Sequence, residues 1–154
     1  MRYWLFKSEP REFGIADFPA ALNYTVTWDG IRNYKARNYL RDQIMVGDYG
    51  FFYHSSCPQP GIVGTVIVTR SAYPDPTAWC ATSKYYDPKS STTHPKWFAI
   101  DLQLRSKFTN CITLKSIKQD PELANMTILT TESRLSVIPI SHEAWQKILA
   151  LAVT

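Results

Sequence analysis

Glycine and cysteine are scarce in this 154-residue sequence, at six and three residues. So few glycines leave no Gly-rich loop of the kind that wraps phosphates in backbone amides, which sets aside the common nucleotide cradles. Cys57, Cys80 and Cys111 lie far apart and form no C-x-x-C pair. Neither a disulfide framework nor a structural zinc site is indicated, and a reducing cytoplasm is the expected compartment. His54, His94 and His142 lack the H-E-x-x-H spacing of a catalytic zinc site, so no metal and no cofactor are expected. Missing too are an apolar run long enough for a bilayer, a signal-peptide start, any repeat and any low-complexity linker. These absences predict one domain over residues 1–154, neither embedded in a membrane nor exported through a signal peptide.

What is present is core material rich in rings: 45% of residues are hydrophobic and 14% aromatic, enough to bury a full core. Seventeen Lys plus Arg against thirteen Asp plus Glu leave a formal charge of +4, a mild bias toward polyanionic partners. Periodicity predicts strands over 3–6, 49–54, 61–72, 97–104, about 108–112 and 135–138. Helices are expected over 15–22, over 34–42 with Asn33 as N-cap, and after a capping Ser141, with a helical turn at 113–117 and an ambiguous stretch over 122–129. Residues 73–96 read as a loop carrying Tyr73, Trp79, Tyr85 and Tyr86. Loops longer than about 12 to 15 residues are usually functional or disordered, and the aromatics favour function. Strands outnumber helices and do not alternate with them, which predicts an α+β fold: a mixed sheet closed or half-closed into a barrel, with peripheral helices.

The run Trp28-Asp-Gly-Ile-Arg-Asn-Tyr-Lys-Ala-Arg-Asn38 joins a large aromatic at a turn to a short basic helix. A flat base can stack on Trp28 while Arg32, Lys35, Arg37 and Arg41 neutralise phosphates. The plain alternative is a core tryptophan beside a solvated helix face. Catalysis has little support. Ser55 follows His54 directly, and neighbours on a strand point to opposite faces and cannot share a proton; no nucleophile elbow is present. A non-enzymatic module is expected.

Seven further motifs accompany that run: Tyr3-Trp-Leu-Phe-Lys-Ser-Glu-Pro10, Phe52-Tyr-His-Ser55, Pro60-Gly-Ile-Val-Gly64, Ala72-Tyr-Pro-Asp75, Tyr86-Asp-Pro88, His94-Pro-Lys-Trp97 and Arg134-Leu-Ser-Val-Ile-Pro139. In this order and register the chain resembles the EVE domain family, and within it the thymocyte nuclear protein group and its small bacterial relatives. The resemblance covers essentially the whole chain. It implies a PUA-like β-barrel of about five to six strands, related to the YTH domains that read methylated adenine in RNA, with a pocket for a modified base. The ligand it implies first is a 5-modified cytosine in DNA. An RNA reader, or a small-molecule or protein-interaction module using the same pocket, remains the alternative.

On that reading Trp28 is one wall of the pocket. By analogy with the paired tryptophans of YTH pockets, the second wall is expected from the loop after the 61–72 strand, with Tyr73 first, Trp79 next and Tyr85 or Tyr86 behind them. Ser8, Asp29, Asn33, Tyr53, His54 and Ser55 match motif positions and are the candidates to read the edge of the base. Asn33 has a rival role as helix cap and Asp29 as an Asx turn. Pro74 or Val26 is expected to line a niche for a methyl-sized group. Arg32, Lys35, Arg37, Arg41, Lys84 and Lys96 are expected on phosphates, with Lys89 nearby; for Arg37, and more so for Arg134, bracing the fold is the competing role. The expected partner is nucleic acid, DNA ahead of RNA, and any cleavage is expected from a separate nuclease.

Overall fold

The computed structural model describes residues 1–124 and 135–152. In chain order the elements are β1 (Tyr3–Ser8), β2 (Thr25–Trp28), α1 (Tyr34–Asp42), β3 (Tyr49–His54), β4 (Gly61–Pro74), β5 (Phe98–Thr113), α2 (Leu114–Gln119), β6 (Val137–Ile140) and α3 (His142–Ala152). The six strands form one sheet in the order β2-β5-β4-β3-β1-β6. Among the described residues only β1 and β3 run parallel; the other neighbours are antiparallel, giving the expected mixed α+β sheet.

That sheet is rolled. The rings of Trp28 on β2 and Phe6 on β1 lie 6.0 Å apart although three strands separate their own. A flat sheet with its usual spacing would hold those strands roughly 19 Å apart. The bending has a visible source in the β4–β5 ladder, whose register shifts at four places, from Ile62/Gly64 to Arg70/Tyr73. Each bulge adds twist and bends its strand.

Alternation along β1 and β3 divides the core in two. Trp4, Phe6 and Phe52 point inside the roll with Trp28, Phe18, Val66, Ile100 and Leu102. Leu5, Phe51 and Tyr53 point outward, where α2 and α3 cover them with Ile117, Trp145 and Ile148. Trp145 stacks on Phe51 at 4.2 Å. The nearly unbroken aromatic run of β3 follows from this, since a strand covered on both faces needs no polar alternation.

Several expectations need correction. Residues 15–22 form two 3-10 turns, Ile15–Asp17 and Ala20–Leu22, instead of one helix. Pro19 has no amide hydrogen to donate and holds Phe18 extended before it. The two strands expected over 97–104 and 108–112 are one, β5, which bends at bulges without breaking. The strand β2 was not expected; four residues offer too short an alternation to stand out. β4 runs on to Pro74, so the loop begins later and includes a 3-10 turn at Pro76–Trp79. The helix α1 occupies Tyr34–Asp42 behind Asn33, as its cap and spacing require. Arg134 and most of the ambiguous 122–129 stretch lie outside the described residues.

Candidate functional site

Rolling the sheet brings its two ends, β2 and the β1–β6 pair, face to face without joining them. A cleft of about 550 Å³ occupies this seam. Lys7 and Ser8 line it from β1, Val26 to Ile31 from β2 and its following turn, Glu12 and Phe13 from the β1–β2 connection, and Lys84 and Tyr85 from the long loop. The volume falls within the range of about 300 to 1,000 Å³ typical of small-ligand pockets.

Trp28 is a core ring that also borders the cleft. It is only 9% exposed, with its ring edge-on to Phe6 and to Phe52 at 6.0 and 5.9 Å, and it also lines the cleft. Its Nε1 is buried and has no hydrogen-bond partner among the described residues. Packing therefore holds this ring in place.

Tyr85 is the loop aromatic in the cleft lining, and Gly30 lets it approach the turn after Trp28. Gly30 has φ +76°, and a Cβ added there would sit 2.6 Å from the Tyr85 ring. Both the backbone angle and the space demand glycine. Arg32 secures the loop by donating from Nε and Nη2 to the Tyr85 carbonyl at 3.1 and 2.8 Å. Behind them Asp75, whose side chain is fully buried, accepts from the Gly30 amide at 2.9 Å and from Arg32 Nη1 at 3.0 Å. It also accepts from the Thr77 amide and hydroxyl at 2.8 and 2.6 Å. Burial pushes the Asp75 carboxyl up, but these donors outweigh it and hold it below the ordinary aspartate value. Asp75 and Arg32 thus brace the turn after Trp28 against the loop that carries Tyr85.

Of the candidates to read a base edge, Asp29 and Ser8 line the cleft. The Asp29 carboxyl is pushed above its ordinary value, first by burial and then by the charge of Asp75, with Arg32 opposing. Ser8 donates to the Phe13 carbonyl at 2.6 Å. At the mouth Lys84 and Glu12 form an exposed ion pair at 2.6 Å.

Other expected site residues lie elsewhere. Tyr73 is a strand residue because β4 continues past it; its hydroxyl donates to Asp101 at 2.5 Å, and its ring lies 3.7 Å from the Arg70 guanidinium carbon. Pro74 pairs with Phe98 at the end of the same strand, outside the cleft. Tyr53 belongs to the outer core, where burial pushes its phenol up to about 12, with Cys57 and Cys111 adding to the shift. His54 Nε2 accepts from the Ile15 amide at 3.0 Å, and burial lowers its pKa. The Ser55 amide is spent on the Ser8 carbonyl, and Asn33 caps α1 through the Ala36 amide at 3.1 Å. Strand direction and capping place these four away from the cleft.

The cations also sort themselves. Arg32 cannot face a phosphate, since it already makes five hydrogen bonds, to Tyr85, Ile31, Asp75 and Thr77. Arg37 Nη1 donates to the Lys96 carbonyl at 2.8 Å. Arg41 pairs with Asp42 at 2.7 Å, and Lys96 lies 3.9 Å from Asp87. Exposed pairs of this kind contribute little to stability and yield readily to a competing anion. Lys35 is exposed and has no ion pair among the described residues. Residues given no site role in the sequence include Asp75, visible only as the end of a motif, Lys7 on β1, Glu12, Phe13 and Gly30. Tyr85 stood last among the wall candidates because nothing local marks which loop aromatic folds back.

Comparison with known proteins gives a consistent result. The chain is 40% identical over 169 residues to mouse thymocyte nuclear protein 1, covering 99% of this chain and 74% of that protein. A crystal structure from Pseudomonas putida superposes with a TM-score of 0.91 at 47% identity, covering 97% of this chain and 99% of that one. The human THYN1 protein, crystallised in complex with DNA containing 5-methylcytosine, superposes with a TM-score of 0.92 at 36% identity over 100% of this chain and 99% of that one. A YTH domain from Zygosaccharomyces rouxii, in complex with N6-methyladenosine RNA, has a TM-score of 0.56 at 14% identity and shares the fold alone, of the PUA-like kind. The EVE domain profile matches residues 2–151, and with relatives this similar along almost its whole length the chain belongs to the EVE domain family.

Proposed function

We propose that this chain is a non-catalytic reader of nucleic acid that takes one modified base, a 5-modified cytosine in DNA, between Trp28 and Tyr85. The observation that carries the reading is the cleft lined by two aromatics, Trp28 and Tyr85, with a half-buried carboxylate, Asp29, among them. The human THYN1 protein, similar over the full chain, was crystallised with DNA containing 5-methylcytosine, which supports the same ligand class here. Extruding a base costs on the order of a few kcal/mol, and each stacking contact returns about 1 to 3 kcal/mol. Two walls can therefore meet the cost where one falls short. Asp29 accepts from the exocyclic amine of a cytosine, and Val26 and Phe13 offer apolar surface to a substituent on the ring. The reading includes no chemistry by this chain: the His54 ring nitrogen that would serve as base is occupied by the Ile15 amide, and strand cleavage falls to a separate nuclease.

The test is a binding panel of matched DNA and RNA oligonucleotides carrying cytosine, 5-methylcytosine or N6-methyladenosine. DNA with 5-methylcytosine is expected to bind best. Tyr85→Ala is the cleaner variant, because Trp28→Ala also removes packing against Phe6 and Phe52. It is expected to weaken that binding roughly 5- to 150-fold. Parent-like affinity in Tyr85→Ala, in a protein with an unchanged melting profile, rules out the two-walled pocket.

A further inference from the structure

We propose that the exposed ring of Tyr34, seated on Trp97, is a second stacking site, for an unpaired base adjoining the one held in the cleft. This inference rests on the nucleic-acid reading above and specifies how the strand continues beyond the extruded base. Tyr34 opens α1 directly after its Asn33 cap and is 52% exposed, yet it is held flat. Its ring stacks on Trp97 with centroids 4.9 Å apart and planes inclined by 28°. Trp97 is buried and is pinned in turn by its Nε1, which donates to Asp87 at 2.8 Å.

Cations surround this ring. The Arg37 guanidinium carbon lies 5.0 Å and Lys96 Nζ 5.8 Å from its centroid, and Lys35 follows it in the helix. Arg37 is itself steadied by the Lys96 carbonyl. An apolar protein partner would have to strip water from these charges, whereas a polyanion with π-faced bases satisfies charge and ring together. The platform and the cleft also share a support. Arg32 lies 5.2 Å from the Trp97 ring and 5.4 Å from the Tyr85 ring, so aromatic and cationic planes follow one another from Tyr85 through Arg32 and Trp97 to Tyr34. A strand leaving the cleft on this side meets Tyr34 next, and its base must be free of pairing to lie on the ring.

The test is fluorescence anisotropy with single-stranded oligonucleotides holding one 5-methylcytosine, each neighbouring nucleotide either intact or abasic in turn. Tyr34→Ala is expected to weaken binding of the intact strand roughly 5- to 150-fold, with Tyr34→Phe retaining it. One abasic neighbour should cost the parent a similar factor, and on that strand Tyr34→Ala should cost nothing more. The platform is overturned if Tyr34→Ala binds the intact strand like the parent, or if its loss is equally large on every abasic strand. If the parent binds no oligonucleotide, the cleft reading falls and the platform with it. Binding that is lost in Tyr85→Ala and unaffected in Tyr34→Ala removes the platform alone.

Discussion

Asp29 carries a charge the fold would be more stable without. Burial, and then the neighbouring Asp75 carboxylate, raise its pKa in the folded chain above the ordinary value of 3.8. A carboxyl with a raised folded pKa holds its proton longer in the native state than in the unfolded one. Its contribution to stability is best below the unfolded value and declines as pH rises through the folded one. At neutral pH the ionised group therefore costs stability, which fits a side chain placed to accept from a ligand. Asp29→Asn is expected to melt at a higher temperature than the parent at pH 7, with the advantage gone by about pH 3, where both states are protonated. Thermal melts across that range decide it; a variant that melts lower at pH 7 would mean that Asp29 braces its own turn.

Among the elements, the contact that matters most for the cleft is made by a loop. The turn after β2 and the 3-10 turn at Pro76–Trp79 are tied through Asp75, which accepts from Gly30, Arg32 and Thr77. Removing the carboxylate strands the Arg32 guanidinium and two backbone amides together. Asp75→Ala is expected to lower stability by about 3 kcal/mol in urea unfolding, near the low end for breaking a buried pair because Arg32 keeps 22% side-chain exposure. Because Tyr85 hangs on the same brace, binding of the modified base should fall as well. A loss below about 0.5 kcal/mol would show that the loop is held by other contacts, of the size usual for surface changes. The 3-10 turns at 15–22 teach a similar lesson. Ile15 and Phe18 have helical spacing, and Phe18 does reach the core, but Pro19 decides the backbone.

For the molecule as a whole, net charge overstates the face available to a nucleic acid. Arg32 is structural, while Arg41, Lys84 and Lys96 are shared with Asp42, Glu12 and Asp87. Binding should weaken with salt at a logarithmic slope near −0.7 per phosphate neutralised on a single strand, for about three to four phosphates. Lys35→Ala should make that slope shallower by roughly one phosphate's share. Arg32→Ala should leave the slope alone and instead lower the melting temperature. Titrations at several salt concentrations, beside thermal melts, separate the two. A slope that changes with Arg32 but not with Lys35 would reverse these assignments.

The sequence by itself determined what depends on near neighbours. Asn33 and the spacing of Ala36 and Leu40 delimit α1, Ser141 caps α3, and the aromatic run over 49–54 marks β3. The ordered motifs pointed to the family and through it to the fold. Those signals reach only a few residues along the chain, and within that range they were readable. The tertiary structure alone decided which loop aromatic lines the cleft beside Trp28 and that Arg32 is spent on the fold. The brace from Arg32 to the Tyr85 carbonyl spans 53 positions, and Tyr73, expected as the first residue of the loop, was claimed by the register of β4. Such contacts follow from how far the bulged β4–β5 pair rolls the sheet, a sum of small bends that no single residue announces.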